Sequence, residues 1–286
     1  MNEPLLPHDL NVDLHLHSTA SDGALSPAEV VARAHGNGVQ LLALTDHDTL
    51  AGQAEARETA QSLGIHYIHG VEVSVTWGGE TIHVVGLNVD PGHAPLQQVL
   101  SSIAQGRQSR AQEMANRLVA HGLPNVLEDA KALARNPDLI SRTHFARALV
   151  AKGICPDMQS VFHSYLTPGK PGYTPHEWTS LTKAVGAILG ANGVAVLAHP
   201  ARYRLGAIGH WALVDEFKAL GGSAIEVVTG SHSDTEARRY QRLAVEHGLH
   251  ASRGSDFHAP GESRFDAGAV PPLPDATHPV WHGWVH

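Results

Sequence analysis

The stretch Gln40-Leu41-Leu42-Ala43-Leu44-Thr45-Asp46-His47-Asp48 sets an unbroken apolar run directly against three ionisable residues. A strand buried on both faces, as in a parallel sheet, reads as such a run. Its carboxyl end is where parallel α/β folds place their chemistry. Ionisable groups buried there cost stability unless they are solvated, paired or liganded. Residues 49–63 read as the next helix, with Gly64 beyond its end and Asp48 as its expected cap. That leaves His47 without a structural task.

The same grammar continues on both sides. Residues 12–17 form a predicted strand, and 26–37 a helix with Ser26 as N-cap, Pro27 in its first turn and Glu29 at the third position. Residues 66–75 and 81–88 read as further strands. Strand–helix–strand alternation at this spacing predicts parallel βα units. Between about Pro91 and Pro168 the pattern changes to helical stretches at 96–121, 127–134, 143–152 and 157–165. The Gly- and Pro-rich residues 166–175 read as a return linker or lid. Helices at 179–192, 210–220 and 233–246 then alternate with strands at 194–199, 224–228 and 250–255, and residues 271–286 form a surface tail. The expected organisation is one α/β domain from residues 1–92 and 174–286, with a helical insertion over 93–173 capping the substrate.

Bulk properties narrow the class. A chain of 286 residues with 42% hydrophobic residues can bury a large core. Its net charge of −8 offers no general attraction to polyanions, so long duplex DNA is not an expected partner. Cys155 is the single cysteine, which excludes an internal disulfide and suits a reducing cytoplasm. No basic start with an apolar run opens the chain, and no membrane-length apolar segment follows. Nothing in the sequence calls for an obligatory protein partner. The outlier is histidine, present 22 times.

Position decides which histidines matter. His15 and His17 alternate along a strand and therefore share a face. Asp22 follows five residues after His17, and Asp46-His47-Asp48 ends the next strand. Glu72, His83, His199-Pro200 and Ser255-Asp256-Phe257-His258 similarly punctuate predicted strands. One such residue is ordinary; an acid or imidazole at nearly every strand is a metal site. The set His15, His17, Asp22, His47, Glu72, His83, His199, Asp256 and His258 contains no thiolate. Mixed imidazole and carboxylate suits manganese, zinc or iron. Nine ligands exceed the need of one ion. His176, His210, His232, His278 and His286 read as surface residues, and Arg107 and Arg110 as a solvated helix face.

The order HxH, Asp, TDHD, Glu, His, HP and SDFH resembles the polymerase and histidinol phosphatase (PHP) family. The resemblance implies a distorted seven-stranded (β/α) barrel with two to three divalent metal ions, manganese first among them. It implies His15, His17, Glu72 and Asp256 around one ion, and Glu72, His83 and His199 around a second. Asp22, His47 and His258 would surround a third ion or the substrate phosphate, as catalytic residues.

Length and the insertion after His83 resemble the branch of nucleotide phosphatases that remove the 3′-phosphate of nucleoside 3′,5′-bisphosphates, leaving a 5′-monophosphate. The implied mechanism is attack by a metal-bound hydroxide. The alternative is a 5′-to-3′ exonuclease on short 5′-phosphorylated RNA or DNA, or another small-monoester phosphatase. Ser141-Arg142-Thr143-His144, at a helix start, reads by itself as a capping serine beside a solvated arginine; its match to the nucleotide branch favours a phosphate site instead, where free N–H groups and a guanidinium attract phosphate. Ser141, Arg142, His144 and Lys170 are the expected substrate-binding residues.

Overall fold

The computed structural model describes residues 10–284. The reading of the N-terminus over residues 1–9 and of His286 lies outside them. The chain runs β1 (Val12–Asp13), α1 (Pro27–Gly36), β2 (Leu41–Leu44), α2 (Gln53–Ser62), β3 (His66–Trp77) and β4 (Glu80–Leu87). Helices α3 (Ala94–Ala120), α4 (Leu127–Leu133), α5 (Arg142–Ala151) and α6 (Met158–Val161) follow. Next come β5 (Thr179–Ser180), α7 (Leu181–Gly190), β6 (Val194–Leu197), α8 (Ala207–Ala219), β7 (Ala224–Thr229), α9 (Asp234–His247) and β8 (His250–Gly254).

Seven strands lie in the order β1-β2-β3-β4-β6-β7-β8, and β5 pairs beside β3. Backbone bonds from Leu14 N to Arg253 O (3.1 Å) and from Asp256 N to His15 O (2.9 Å) draw the last strand to the first. The result is a nearly closed, distorted (β/α) barrel with a helical insertion. Its strands bury both faces, as the apolar run at Leu41–Leu44 requires, with all four residues wholly buried.

The barrel departs from the expected parallel units at one place. β4 runs antiparallel to both β3 and β6. The cause is Trp77-Gly78-Gly79-Glu80, a tight hairpin whose two glycines take φ of 58° and 79°. Left-handed φ at both central positions is the geometry that matches strand twist in a two-residue hairpin. Glu72 and His83 consequently lie within long strands rather than at strand ends.

Two helix starts also differ from expectation. α2 begins at Gln53 because Asp48 does not cap it: Asp48 has φ 52° and turns its carboxylate to Ser74, accepting from Ser74 N (2.7 Å) and Ser74 Oγ (2.8 Å). Arg107 closes a buried ion pair with the same carboxylate. Residues 179–180 pair with β3 as β5 before α7 starts, with Ser180 as its N-cap.

The insertion has its own apolar cluster, including Met114, Leu118, Leu127, Phe145, Leu149 and Leu166. The first half of α3 instead packs Leu96, Leu100 and Ile103 on the barrel core. One rigid helix thereby carries Arg107 and Arg110 toward the mouth. No helix among the described residues is long and apolar enough to cross a membrane.

Candidate metal centre

The site is built where β1, β2, β3, β4, β6 and β8 present side chains to one point. His15 and His17 leave the end of β1 with their Nε2 atoms 3.1 Å apart. Glu72 Oε2 lies 3.3 Å from each, and Asp256 Oδ1 lies 3.6 and 3.3 Å away. The other oxygen, Glu72 Oε1, faces His83 Nδ1 at 2.8 Å and His199 Nε2 at 2.9 Å. His47 Nδ1 is 2.9 Å from Glu72 Oε2. Asp22 Oδ1 lies 3.4 Å from His258 Nε2 and 4.0 Å from His47 Nε2. The nine residues named from the sequence form one cluster: Glu72, whose two oxygens face different partners, stands at its centre, and Asp22 and His258 join it through His47 and Asp256.

Backbone strain collects here. His199 (φ 24°) and Asp256 (φ 53°) are non-glycine residues in left-handed conformations. Such geometry costs about 1–3 kcal/mol per residue and persists only where the surroundings impose it. At Gly254 a Cβ would come within 2.3 Å of His15 Cβ, so only glycine lets β8 pass the ligand strand.

Carboxylates that the motif reading passed over hold this arrangement. Glu226 of β7 accepts from His199 N (2.6 Å) and lies 2.6 Å from His15 Nδ1. Asp13 accepts from Ser255 N and Gly268 N, fixing the loop that carries Asp256. Asp46 accepts from Ser18 N, Ser18 Oγ and Ser21 Oγ, bracing the loop that carries Asp22. The available signal was a lone acid in an apolar strand, Ala224-Ile225-Glu226-Val227-Val228. Tyr203 donates to Ala198 O (2.6 Å) and accepts from His83 N (2.9 Å), latching β4 to the end of β6.

The donor chemistry fits divalent ions. Burial alone would raise the Glu72 carboxyl, but His47, His83 and His15 outweigh it and hold it well below the usual range. Asp22 and Asp256 are depressed in the same way by their imidazoles. Burial disfavours charge on His17, yet Asp256 and Glu72 raise it to about 10, and Glu226, Glu72 and Asp256 raise His15. The cluster thus demands positive charge, which metal ions supply by displacing those protons. His47 Nδ1 and Glu72 Oε2 are buried without any hydrogen bond although they face each other at 2.9 Å, as is Asp22 Oδ1. Two lone-pair atoms so placed suit a shared cation. Four subsets can hold an ion: His15 with His17 and Asp256; His15 with Glu72 and His199; His47 with Glu72 and His83; and His17 with Asp22, His47 and His258.

Around this centre lie three cavities. The smallest, about 100 Å³, is lined by Asp22, His47, His83 and His258 on one side and by Arg107, Arg110, Arg142 and Arg202 on the other. Arg107 and Arg110 are therefore not a solvated face. Both are buried, Arg107 against Asp48 and Arg110 bonded to Thr174 O (3.2 Å), and both stack on Trp178. Helical periodicity could not show this, because the buried side of α3 faces a polar mouth rather than a core. Ser141 donates to Asp22 Oδ2 (3.0 Å) and accepts from Thr143 N (3.1 Å), so it ties the insertion to the donor cluster while capping α5. His144 accepts from Ser141 N (3.0 Å), and burial lowers it to about 4. The helix-start N–H groups that were expected to face phosphate are thus partly spent on the cap. Arg142 packs over Phe162 and lines the cavity. Lys170 lines none of the three cavities. His210 and His232, expected at the surface, are buried. His232 sits with its Nδ1 3.0 Å from Val227 O and its ring stacked on Tyr240.

Comparison with known proteins agrees with this geometry. Residues 13–196 match the model of the PHP domain. The chain is 51% identical to a 3′,5′-nucleoside bisphosphate phosphatase of Chromobacterium violaceum, over 95% of each chain. It is 42% identical to a 5′-3′ exoribonuclease of Haemophilus influenzae, over 94% of this chain and 97% of the other. Among solved structures, an amidohydrolase from Chromobacterium violaceum with bound sulfate and no metal superposes with a TM-score of 0.93, at 50% identity over 95% of each chain.

Proposed function

The chain belongs to the PHP domain family and is a metal-dependent phosphoesterase, and on that premise we propose that it removes the 3′-phosphate of nucleoside 3′,5′-bisphosphates. The observation that carries the reading is the arginine-walled cavity opening directly on the donor cluster. A chain of net charge −8 has gathered four guanidinium groups around about 100 Å³. Such a concentration of fixed donors suits a substrate with two phosphates.

In this reading His15, His17, Glu72 and Asp256, then Glu72, His83 and His199, then Asp22, His47 and His258 hold two to three divalent ions, manganese foremost. Bound ions would activate water at neutral pH and offset charge on the phosphoryl oxygens. The rest is the work of the chain. Glu226 orients His15 so that Nε2 faces the cluster, and Ser141 orients Asp22. Arg142, with Arg110, binds the 5′-phosphate, while Phe162, Tyr173 and Tyr203, which line an adjoining cavity of about 340 Å³, offer surfaces for the base. As water adds to phosphorus, the ester P–O bond breaks; the 3′-oxygen leaves with a proton and orthophosphate departs.

A second reading draws on the third cavity. It holds about 610 Å³ on the other flank of Asp256 and His258, with Arg264, Ser231 and Ser263 along it. That space suits a longer strand, as a 5′-to-3′ exonuclease on short RNA would need. Phosphate release from adenosine 3′,5′-bisphosphate, set against nucleotide release from a 5′-phosphorylated oligoribonucleotide, decides between them. The phosphatase reading expects the bisphosphate to be preferred in kcat/KM; a reversed preference overturns it.

A further inference from the structure

We propose that Arg202 is a catalytic residue that grips the phosphoryl group during transfer, an inference that rests on the phosphoesterase reading of the site. Arg202 ends the short turn Pro200–Arg202 that follows His199. Of the residues lining the three cavities at the centre, Arg202 and Phe162 line all three. The guanidinium stands at the point where they meet.

Its bonding differs from that of the other arginines. Arg107 is engaged by Asp48 and Ser74, Arg110 by Thr174 O and Trp178, and Arg142 by Phe162 and, at 3.5 Å, Leu166 O. Arg202 makes one side-chain hydrogen bond, from Nη1 to Asp256 Oδ2 at 2.9 Å, and its side chain is 51% exposed. A guanidinium has five N–H donors, so four are free to meet a ligand. Asp256 turns its other oxygen, Oδ1, to His15 and His17. A single carboxylate therefore separates the Arg202 guanidinium from the donor cluster.

Phosphoryl transfer spreads negative charge over the nonbridging oxygens while one P–O bond breaks and another forms. A planar fork can pair with two of those oxygens at once. Arg202 stays protonated throughout, so it changes the charge balance of the transition state and not the proton count. The rival reading makes Arg202 only a counterion that steadies Asp256. A lysine would serve as a counterion but not as a fork.

The test compares Arg202→Ala and Arg202→Lys in manganese-loaded protein, with p-nitrophenyl phosphate and the bisphosphate as substrates. Losing a preorganised donor to a developing oxyanion typically costs ~10²–10³ in kcat. The alanine variant should show a loss of that order on both substrates, with unchanged metal content by elemental analysis. The lysine variant should recover little, and added guanidinium should partly restore the alanine variant. Orthophosphate, titrated calorimetrically, should bind about tenfold more weakly. Loss of metal in the alanine variant, or near-normal kcat in the lysine variant, overturns the proposal. Orthophosphate binding and p-nitrophenyl phosphate turnover test Arg202 whatever nucleotide the enzyme prefers, so failure of the bisphosphate assignment would show separately.

Discussion

The barrel and the insertion divide the charge of the site between them. The barrel supplies all nine candidate ligands, carboxylates and imidazoles buried or half-buried at strand ends and within β3 and β4. The insertion supplies Arg107, Arg110, Arg142 and Ser141, with its own apolar cluster behind α5. In the proposed reading, barrel residues hold the ions and insertion residues hold the part of the substrate that does not react. On that reading the barrel fixes the chemistry, and substrate choice is set by what is inserted into it. Ser141 to Asp22 and Arg107 to Asp48 are direct bonds across the divide.

The comparison breaks most completely at Glu72. Glu72→Gln removes the charge that faces two groups of donors, and turnover should fall by at least a thousandfold, with a loss of bound metal by elemental analysis. If Glu72→Gln kept its metal and its rate, the barrel would not be the chemical half.

Glu226→Gln probes support behind the ligands. It keeps the shape but weakens the hold on His15 Nδ1 and the His199 backbone. Loss of such outer partners typically costs 10–100-fold in metal affinity or activity. Competition titration against a fluorescent chelator should show that loss, while circular dichroism stays unchanged.

Arg142→Ala probes the insertion. Losing a charge-assisted hydrogen bond costs ~1.5–3 kcal/mol, or roughly ten- to a hundredfold in kcat/KM for the bisphosphate. A substrate without the 5′-phosphate should be nearly unaffected, and metal content should not change. Equal losses on both substrates would blur the division.

The smallest effect is a pH dependence. In metal-free protein His17 is raised to about 10, above its unfolded value near 6.5. Its contribution to stability is complete below about pH 6.5 and is lost as pH rises toward 10. The Tm of metal-free protein should therefore fall across that window. Saturating manganese should flatten or reverse the trend, because binding displaces the same protons. A Tm of metal-free protein that rises between pH 7 and 9 would contradict this.

How much of this was written in the sequence depends on whether the signal was local. His15-x-His17, the polar end of Leu41–Leu44 and the Asp256-Phe257-His258 run each combine a strand pattern with groups that strand burial would otherwise exclude. Those patterns carried the barrel and the donor set. The antiparallel turn was also legible, in Gly78-Gly79, but was hidden by the surrounding βα rhythm. Asp48 looked like a cap because its partner, Arg107, lies on a distant helix. Arg107 and Arg110 looked solvated for the same reason: a charged residue one helical turn from another carries no mark of what the fold brings against it. Glu226 left one mark, a lone acid in an apolar strand, whereas Arg202 depends wholly on tertiary placement.

The most direct test of the account asks which phosphate leaves, and whether metal is required. Adenosine 3′,5′-bisphosphate is followed by phosphorus-31 NMR with manganese-loaded protein and with protein stripped by chelation. Orthophosphate and the 5′-monophosphate alone should form with the loaded enzyme, and the stripped enzyme should not turn over until metal is restored. Accumulation of the 3′-monophosphate, or full turnover without metal, would contradict it.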